Sequence, residues 1–241
     1  MQNIDWNPEE FLRKLQGHLT WARVRLKLHT MIARARQDEE TADALDIGRL
    51  FFFMAEEAFY LDAALTVQKL FSPKEYGSLT KYLNKSLQDR EKIRYSDDRI
   101  NASVLKGHLS MIEGFSDEIG RLDCLRDKWF AHHDRLAFDE PMTFVHKYYV
   151  QPDELERMID AAQGIMRIHY LSFGVDFMPG LSRETDFLAV VDILLRYREA
   201  FKLRFNDPKD LEKAVELMFH YKHSRISSLK DRFLGSDEKY T

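Results

Sequence analysis

The sequence has few of the features that mark secreted, membrane-spanning or disulfide-stabilised proteins. Its 241 residues include one cysteine, Cys124, so no intramolecular disulfide can form and a reducing compartment is expected. The longest apolar run, residues 50–55, is far too short to cross a bilayer. The N-terminal segment is acidic and polar, without a basic stretch leading into an apolar one. We therefore expect no signal peptide, no membrane partner and a cytoplasmic location.

A net positive charge and glycine-rich phosphate-binding loops are also missing. The chain carries 36 Lys and Arg against 40 Asp and Glu, a formal net charge of -4, which is unlike a strongly basic nucleic-acid binder. Contact with RNA would have to come from a local patch, with modest and salt-dependent affinity. Neither GxxxxGK[ST] nor GxGxxG occurs, which argues against nucleotide hydrolysis as the main activity.

Helical periodicity is what the chain has in abundance. Hydrophobic residues make up 44% of it, and they recur at helical spacing through most of its length. The only strand candidate is residues 142–150, which we interpret as a loop or a lone strand. The fold class is therefore predicted to be all-α. The predicted helices span about residues 7–36, 41 or 43 to 70, 78–93, a fourth segment from 96–98 that ends with residues 125–134, and then 153–170, 184–205 and 209–234.

Two details of the helices bear on the architecture. The second predicted helix has apolar residues on two faces, including Phe51 and Met54 on one and Phe53 and Tyr60 on the other, and is predicted to be a buried central helix. The fourth contains three glycines that can kink or split it. They are Gly107, Gly114 and Gly120. Residues 174–182 hold the only candidate domain boundary.

Residues 125–134, LRDKWFAHHD, combine two cations, two carboxylates and two imidazoles in ten positions. Arginine binds a phosphate through a planar fork of donors, and histidine can take up and release a proton near neutral pH. An arginine and a histidine close together are the minimum needed to grip or cleave a phosphodiester. The same residues would also be compatible with a polar patch on an amphipathic helix.

This stretch carries a resemblance to a known family. Arg126, Asp127 and His132 resemble the HEPN superfamily signature of an arginine, a polar residue and a later histidine. The longer form RDKWFAHHD is similar to the RDKxxAHxD stretch of the abortive-infection branch, with Asp134 in the last position. Together with the helix pattern around it, the resemblance covers roughly residues 10–172. We expect a HEPN-like helical bundle over residues 1–172, with a helical extension over residues 173–241 packed on the same domain.

The resemblance implies a defence or toxin-type protein that dimerises, with the two Arg/His sets meeting at the interface. Active members of the family are metal-independent RNases, so the resemblance implies no cofactor. His132 would then act as base or acid, and Arg126 would hold the phosphate. Asp127 or Asp134 would orient a histidine or pair with Arg126, and Lys128 and Asp134 are candidate binding residues.

The doubled histidine leaves the identity of the acting residue open. On a regular helix of about 100° per residue, Arg126 and His133 lie within about 20° of each other, whereas Arg126 and His132 are about 120° apart. His132 nevertheless fills the family position. The conflict is resolved if the helix begins or bends within the motif, or if the match forms across two subunits.

Two other functions are open. A catalytically silent module of the same family would bind RNA or a partner protein, such as an antitoxin, and keep the motif for structure. A metal-dependent hydrolase would use Glu216, His220 and His223, spaced four and three apart on one helix face. Because the HExxH order is absent, a solvated face is the favoured interpretation, and we predict no metal site. His146 and His169 are interpreted as structural histidines.

Overall fold

The computed structural model describes residues 6–96, 99–131, 138–177, 184–201, 208–219 and 226–234. Within these ranges all regular structure is helical and no strand occurs, which confirms the predicted all-α class. The helices are α1 (Pro8–Gln37), α2 (Glu39–Leu45), α3 (Arg49–Phe71), α4 (Leu79–Gln88), α5 (Ala102–Glu113), α6 (Ser116–Cys124), α7 (Pro141–Tyr148), α8 (Pro152–Ser172), α9 (Glu184–Phe201), α10 (Pro208–Phe219) and α11 (Ile226–Leu234). A 3₁₀ turn, Asp46–Gly48, precedes α3, and a π-helical turn, Leu125–Ala131, follows α6.

Side-chain caps fix several helix starts. Asn7 accepts a hydrogen bond from the Glu10 amide at 3.1 Å, and Ser78 accepts one from the Lys81 amide at 3.1 Å, as the sequence predicts. The second predicted helix begins two residues earlier than expected because Asp38 caps it. The fourth begins at Ala102, where Asn101 accepts a hydrogen bond from the Val104 amide, and not at residues 96–98. Of its three glycines, Gly114 ends α5.

Residues 142–150 are a correction to the predicted architecture. They were expected to form a loop or a lone strand, but residues 141–148 form α7. Pro141 occupies the first turn, where its missing N–H costs nothing. Phe144 and Tyr148 lie one turn apart on the same helix face, with ring centroids 4.8 Å apart. The packing of this face outweighs the strand preference of the aromatic and β-branched residues around it.

The second predicted helix is a further correction. The 3₁₀ turn at residues 46–48 divides it into α2 and α3, and only the later part of α3 is buried on two faces. Near its start, Leu50, Phe51 and Met54 are 71%, 68% and 60% exposed. The prediction of a buried central helix therefore holds for residues 60–71 and is wrong for residues 49–58.

The chain divides into two compact units, each with its own core. Unit 1 comprises Met1–Leu26 and Tyr60–Gly180, and unit 2 comprises Lys27–Phe59 and Leu181–Thr241. Residues 27–59 thus group with the C-terminal helices. The domain boundary that the sequence predicts, between residues 172 and 173, stays a prediction. None of the helices in the described ranges is long and apolar enough to cross a membrane. Unit 1 is built on residues such as Leu12, Leu15, Val67, Phe71, Leu83, Ile159 and Met166, and unit 2 on Met31, Ile32, Leu45, Leu188, Val191, Leu195 and Phe233.

A buried polar chain crosses the core of unit 1. His169 is fully buried, with Nδ1 3.0 Å from the Tyr82 hydroxyl and Nε2 3.3 Å from Nδ1 of His108. If Tyr82 donates to Nδ1, then Nε2 carries the proton and donates to His108. Burial, followed by the charge of His108, lowers the pKa of His169 to about 3. The prediction that His169 is a satisfied structural histidine is confirmed by these contacts.

The neutral state of His169 makes unit 1 sensitive to acid. The group titrates at its ordinary value of 6.5 in the unfolded chain and at about 3 in the folded one. The unfolded state therefore binds more protons below pH 6.5, and the free energy of unfolding falls as the pH drops from 6.5 toward 3. Between pH 7 and 5 we expect His169 to contribute a loss of about 2 kcal/mol, which His169→Phe removes.

The measurement is urea unfolding at both pH values. His169→Phe is expected to be less stable than the wild type at pH 7, because Tyr82 loses its partner, and to have a shallower pH dependence. A matched change at the exposed His146 on α7, His146→Phe, should keep the slope of the wild type. An unchanged slope in His169→Phe would show that His169 is not the titrating group.

Candidate functional site

The motif begins where α6 gives way to the π-helical turn. In this turn the backbone hydrogen bonds join residues five apart, a local irregularity that is frequent at functional sites. The angles of a regular helix therefore do not apply to residues 125–131, which agrees with the first of the two alternatives given above, a change of the helix within the motif. His132, His133 and Asp134 lie outside the described residues, as do the side chains of Trp129 and Phe130.

Arg126 is held between two carboxylates. Its Nε donates to Oδ1 of Asp127 at 2.6 Å, and its Nη1 donates to Oε1 of Glu75 at 3.2 Å. The hydrogen bond to Asp127, with the charges of Asp127, Asp123 and Glu75, holds the pKa of Arg126 above its ordinary value, although burial opposes this. A guanidinium has five N–H donors, so three have no acceptor among the described residues. The side chain is 25% exposed, which leaves this donor capacity accessible to a ligand.

An apolar contact fixes the turn that carries Arg126. Leu125 is 5% exposed and packs against Phe144, which is fully buried, with Tyr148 beside them. Leu122, one turn earlier, belongs to the main core of unit 1. The motif is therefore anchored from α7, the element that the sequence did not predict. Lys128 lies over the ring of Tyr148, with Nζ 5.7 Å from the centroid, which ties a second motif cation to the same helix.

Two polar side chains from α3 and the turn after it contact the motif or the helix that leads into it. Gln68, fully buried on α3, donates from Nε2 to Oδ1 of Asp123 at 2.7 Å, and its Oε1 has no partner among the described residues. The turn that presents Glu75 is closed by a hydrogen bond from the Glu75 amide to the carbonyl of Ser72. Sequence reasoning missed Gln68 and Glu75, because they lie more than fifty positions from their partners and carry no motif of their own.

A second arginine nearby has a structural role. Arg121, on α6, donates from Nη2 and Nη1 to the two carboxylate oxygens of Glu154, at 2.7 and 3.2 Å, and from Nη1 to the carbonyl of Tyr149. Glu154 also accepts from the Gln151 amide in the capping box of α8. The hydrogen bond to Arg121 lowers the pKa of Glu154. Arg121 thereby joins α6 to the start of α8, a contact that sequence reasoning also missed.

Other candidate chemistry finds little support in the described ranges. No group of three His, Cys, Asp or Glu there could hold a metal ion. Glu216 lies exposed on α10, but His220 and His223 lie outside the described residues, so the predicted alternative metal set is not tested. A groove of unit 2 is lined by carboxylates and by Arg198 and Arg232, which already pair with carboxylates of that unit.

The HEPN_AbiU2 family model, described as AbiU2, matches residues 9–189. The chain belongs to this family. The matched range includes all of residues 10–172, where the sequence resembles the abortive-infection branch, and extends past them into α9. Membership supports a defence or toxin-type HEPN protein, in a superfamily whose domains commonly dimerise. Neither the curated proteins nor the solved structures contain a match.

The anchor of the motif can be tested by a change in α7. Phe144→Ala removes a fully buried ring and leaves a cavity beside Leu125, so we expect a loss of about 3–5 kcal/mol in the free energy of unfolding. The matched control is Met142→Ala on the same helix, where a side chain 66% exposed should change stability by less than about 0.5 kcal/mol. Urea unfolding of both variants measures the difference. Equal losses would contradict the placement of Phe144 in a packed anchor.

Proposed function

We propose that this protein is a metal-independent endoribonuclease that acts as a homodimer, with Arg126 holding the scissile phosphate and His132 transferring protons. The observation that carries the proposal is the state of Arg126, a partly exposed cation with three N–H donors that have no acceptor among the described residues. It sits on a π-helical turn immediately before the two histidines in the sequence. The family membership is consistent with this chemistry.

The proposed reaction is transesterification within the RNA backbone. A histidine removes the proton of a ribose 2′-OH, the 2′-oxygen forms a bond to phosphorus, and the bond to the 5′-oxygen breaks. A second histidine donates a proton to the leaving oxygen, so the products are a 2′,3′-cyclic phosphate and a 5′-OH end. Arg126 stabilises the charge that builds on the phosphate oxygens. We assign the two proton-transfer roles to His132 of each subunit, with His133 as the alternative residue.

The other motif residues support these groups. Asp127 accepts a hydrogen bond from the Arg126 guanidinium, which holds the pKa of Arg126 above its ordinary value. Lys128 adds a second positive charge on the same turn, as a phosphate-binding residue. Asp134 is proposed to orient a histidine. No cofactor takes part in this scheme, because the base, the acid and the cation all come from side chains.

A catalytically silent module that binds RNA or a partner protein, such as an antitoxin, is the second candidate. The observation that favours it is the pairing of Arg126 with two carboxylates, which weakens the local positive potential that a phosphate would meet. Under this alternative the motif would contribute a surface and no chemistry. The two candidates differ in whether RNA is cleaved by a folded protein.

The motif is tested by RNA cleavage in the presence of EDTA. We expect the wild type to cleave, with 2′,3′-cyclic phosphate ends, and Arg126→Ala or His132→Ala to reduce the rate by at least about 100-fold. Arg126→Lys should recover little, because an ammonium lacks the planar fork. Arg157→Ala is the matched control, an arginine with a side chain 62% exposed on α8, and should cleave normally.

The folded state of each variant is checked by circular dichroism and its mass by sedimentation. Absence of cleavage by a folded, dimeric wild type would favour the silent module over the enzyme. Cleavage that persists in both motif variants would place the activity elsewhere. Loss of cleavage on adding EDTA would favour metal chemistry instead.

The carboxylate of Glu75 gives a second test of the same site. A phosphate must compete with Glu75 for Nη1 of Arg126, so Glu75→Gln should lower KM for RNA by about two- to five-fold, the range of a partly exposed ion pair. Glu113→Gln, at an exposed glutamate of α5, controls for the change in net charge. Steady-state kinetics with a short RNA gives KM and kcat separately. A lower kcat with unchanged KM would show instead that Glu75 positions Arg126.

A further inference from the structure

The start of α3 and the turn before it present an apolar surface that the described residues of unit 2 leave uncovered. Leu50, Phe53 and Met54 lie on consecutive turns, and Ile47 and Phe51 flank them. These five residues, here called the α3 face, are 43–71% exposed. Apolar side chains of this size are normally exposed singly, and their clustering marks an interaction surface.

The size of the α3 face fits a protein interface. At ordinary side-chain areas, the exposed fractions amount to roughly 500 Å² of apolar surface, toward the upper end of what a monomer keeps exposed. Two such surfaces in contact would bury about 1,000 Å², which is the lower limit for a specific protein–protein interface. Aromatic residues and methionine are also enriched in interfaces, and this surface holds two phenylalanines and a methionine.

The charges around the α3 face identify the occupant. Arg49 and Glu57 lie four residues before and four residues after Phe53, in one row along α3. Among the described residues, Arg49 is 81% exposed and has one ion pair, with Asp46 at 3.9 Å, while Glu57 is exposed and has none. A two-fold axis through Phe53 would bring Arg49 of each copy opposite Glu57 of the other. This row of opposite charges is therefore complementary to itself in antiparallel pairing.

We propose that the α3 face binds a second copy of this chain, with the two α3 helices antiparallel and Phe53 near the two-fold axis. The surface belongs to unit 2, whereas Arg126 and the rest of the described motif belong to unit 1. The inference says which surface joins two copies. It shares the homodimer with the proposed function but does not rest on RNA cleavage. It assigns the exposed residues near the start of α3 a role that the packing of the single chain does not give them.

The first experiment is self-cross-linking at the axis. In a Cys124→Ser background, Phe53→Cys should cross-link to the same position of a second copy with a short bis-maleimide. Ile193→Cys, at a residue 51% exposed on α9 of the same unit, is the matched control and should cross-link far less. Adding Leu50→Lys to Phe53→Cys should reduce the yield at least ten-fold, because a charge then enters the apolar contact. Adding Arg126→Ala should leave the yield unchanged.

Charge reversal provides a second, milder test. Arg49→Glu alone and Glu57→Arg alone should each weaken association by about three- to ten-fold in sedimentation equilibrium, because like charges then face each other. The double variant should recover most of the loss, since the opposite pairs are restored in reversed order. Circular dichroism checks that each variant is folded.

Three outcomes would overturn the inference. One is a Phe53→Cys protein, in the Cys124→Ser background, that shows no cross-linking at concentrations where it associates. Another is cross-linking that Leu50→Lys does not reduce, and the third is a double charge reversal that is weaker than both single changes. Loss of RNA cleavage with intact cross-linking at position 53 would count against the proposed function only.

Discussion

The packing of Leu125 against Phe144 is the contact on which the described motif depends. A π-helical turn is an uncommon backbone conformation, and it persists where the surrounding packing holds it. Here Leu125 places the turn against α7, so that Arg126, the next residue, reaches Glu75 in the turn after α3. Asp127 is the sequence neighbour of Arg126, but nothing in the local sequence would bring Glu75 to the guanidinium without that anchor. The chemistry proposed for the motif is thus built on one small apolar cluster.

Helical periodicity predicted the fold class because most helices of this chain bury one regular apolar face, and a pattern repeating every three to four residues shows such a face. The predictions from periodicity were wrong where tertiary packing determines the secondary structure or the burial of a segment. Residues 142–150 are aromatic and β-branched, which favours a strand, but Phe144 and Tyr148 gain a helical face against the motif. The prediction that the early part of α3 is buried was wrong for the opposite reason. Its residues Phe51 and Met54 are apolar enough for a core, yet the single chain leaves them exposed.

The candidate site could be predicted only as far as it is local. Arg126, Asp127 and Lys128 are neighbours in the sequence, so a short motif finds them. Glu75 and Gln68 join the site through contacts that span more than fifty residues, and neither belongs to a recognisable pattern. Gln68 lies on a predicted core helix, where a polar side chain is expected to need a buried partner, and that is the one sequence signal that could have pointed to it.

The contrast between two arginines argues for function at the motif. Arg121 and Arg126 are five residues apart and similarly exposed, at 29% and 25%, so exposure does not distinguish them. Arg121 joins α6 to α8 through both oxygens of the partly buried Glu154 carboxylate and a backbone carbonyl, and its removal would take a donor from each of these acceptors. Arg126 makes one of its two hydrogen bonds to its sequence neighbour Asp127. The other is to Glu75, whose side chain is 39% exposed and can be hydrated by water. Because the fold gains little from Arg126, a purely structural reason for that residue is weak, and a ligand that fills its remaining donors is the better explanation.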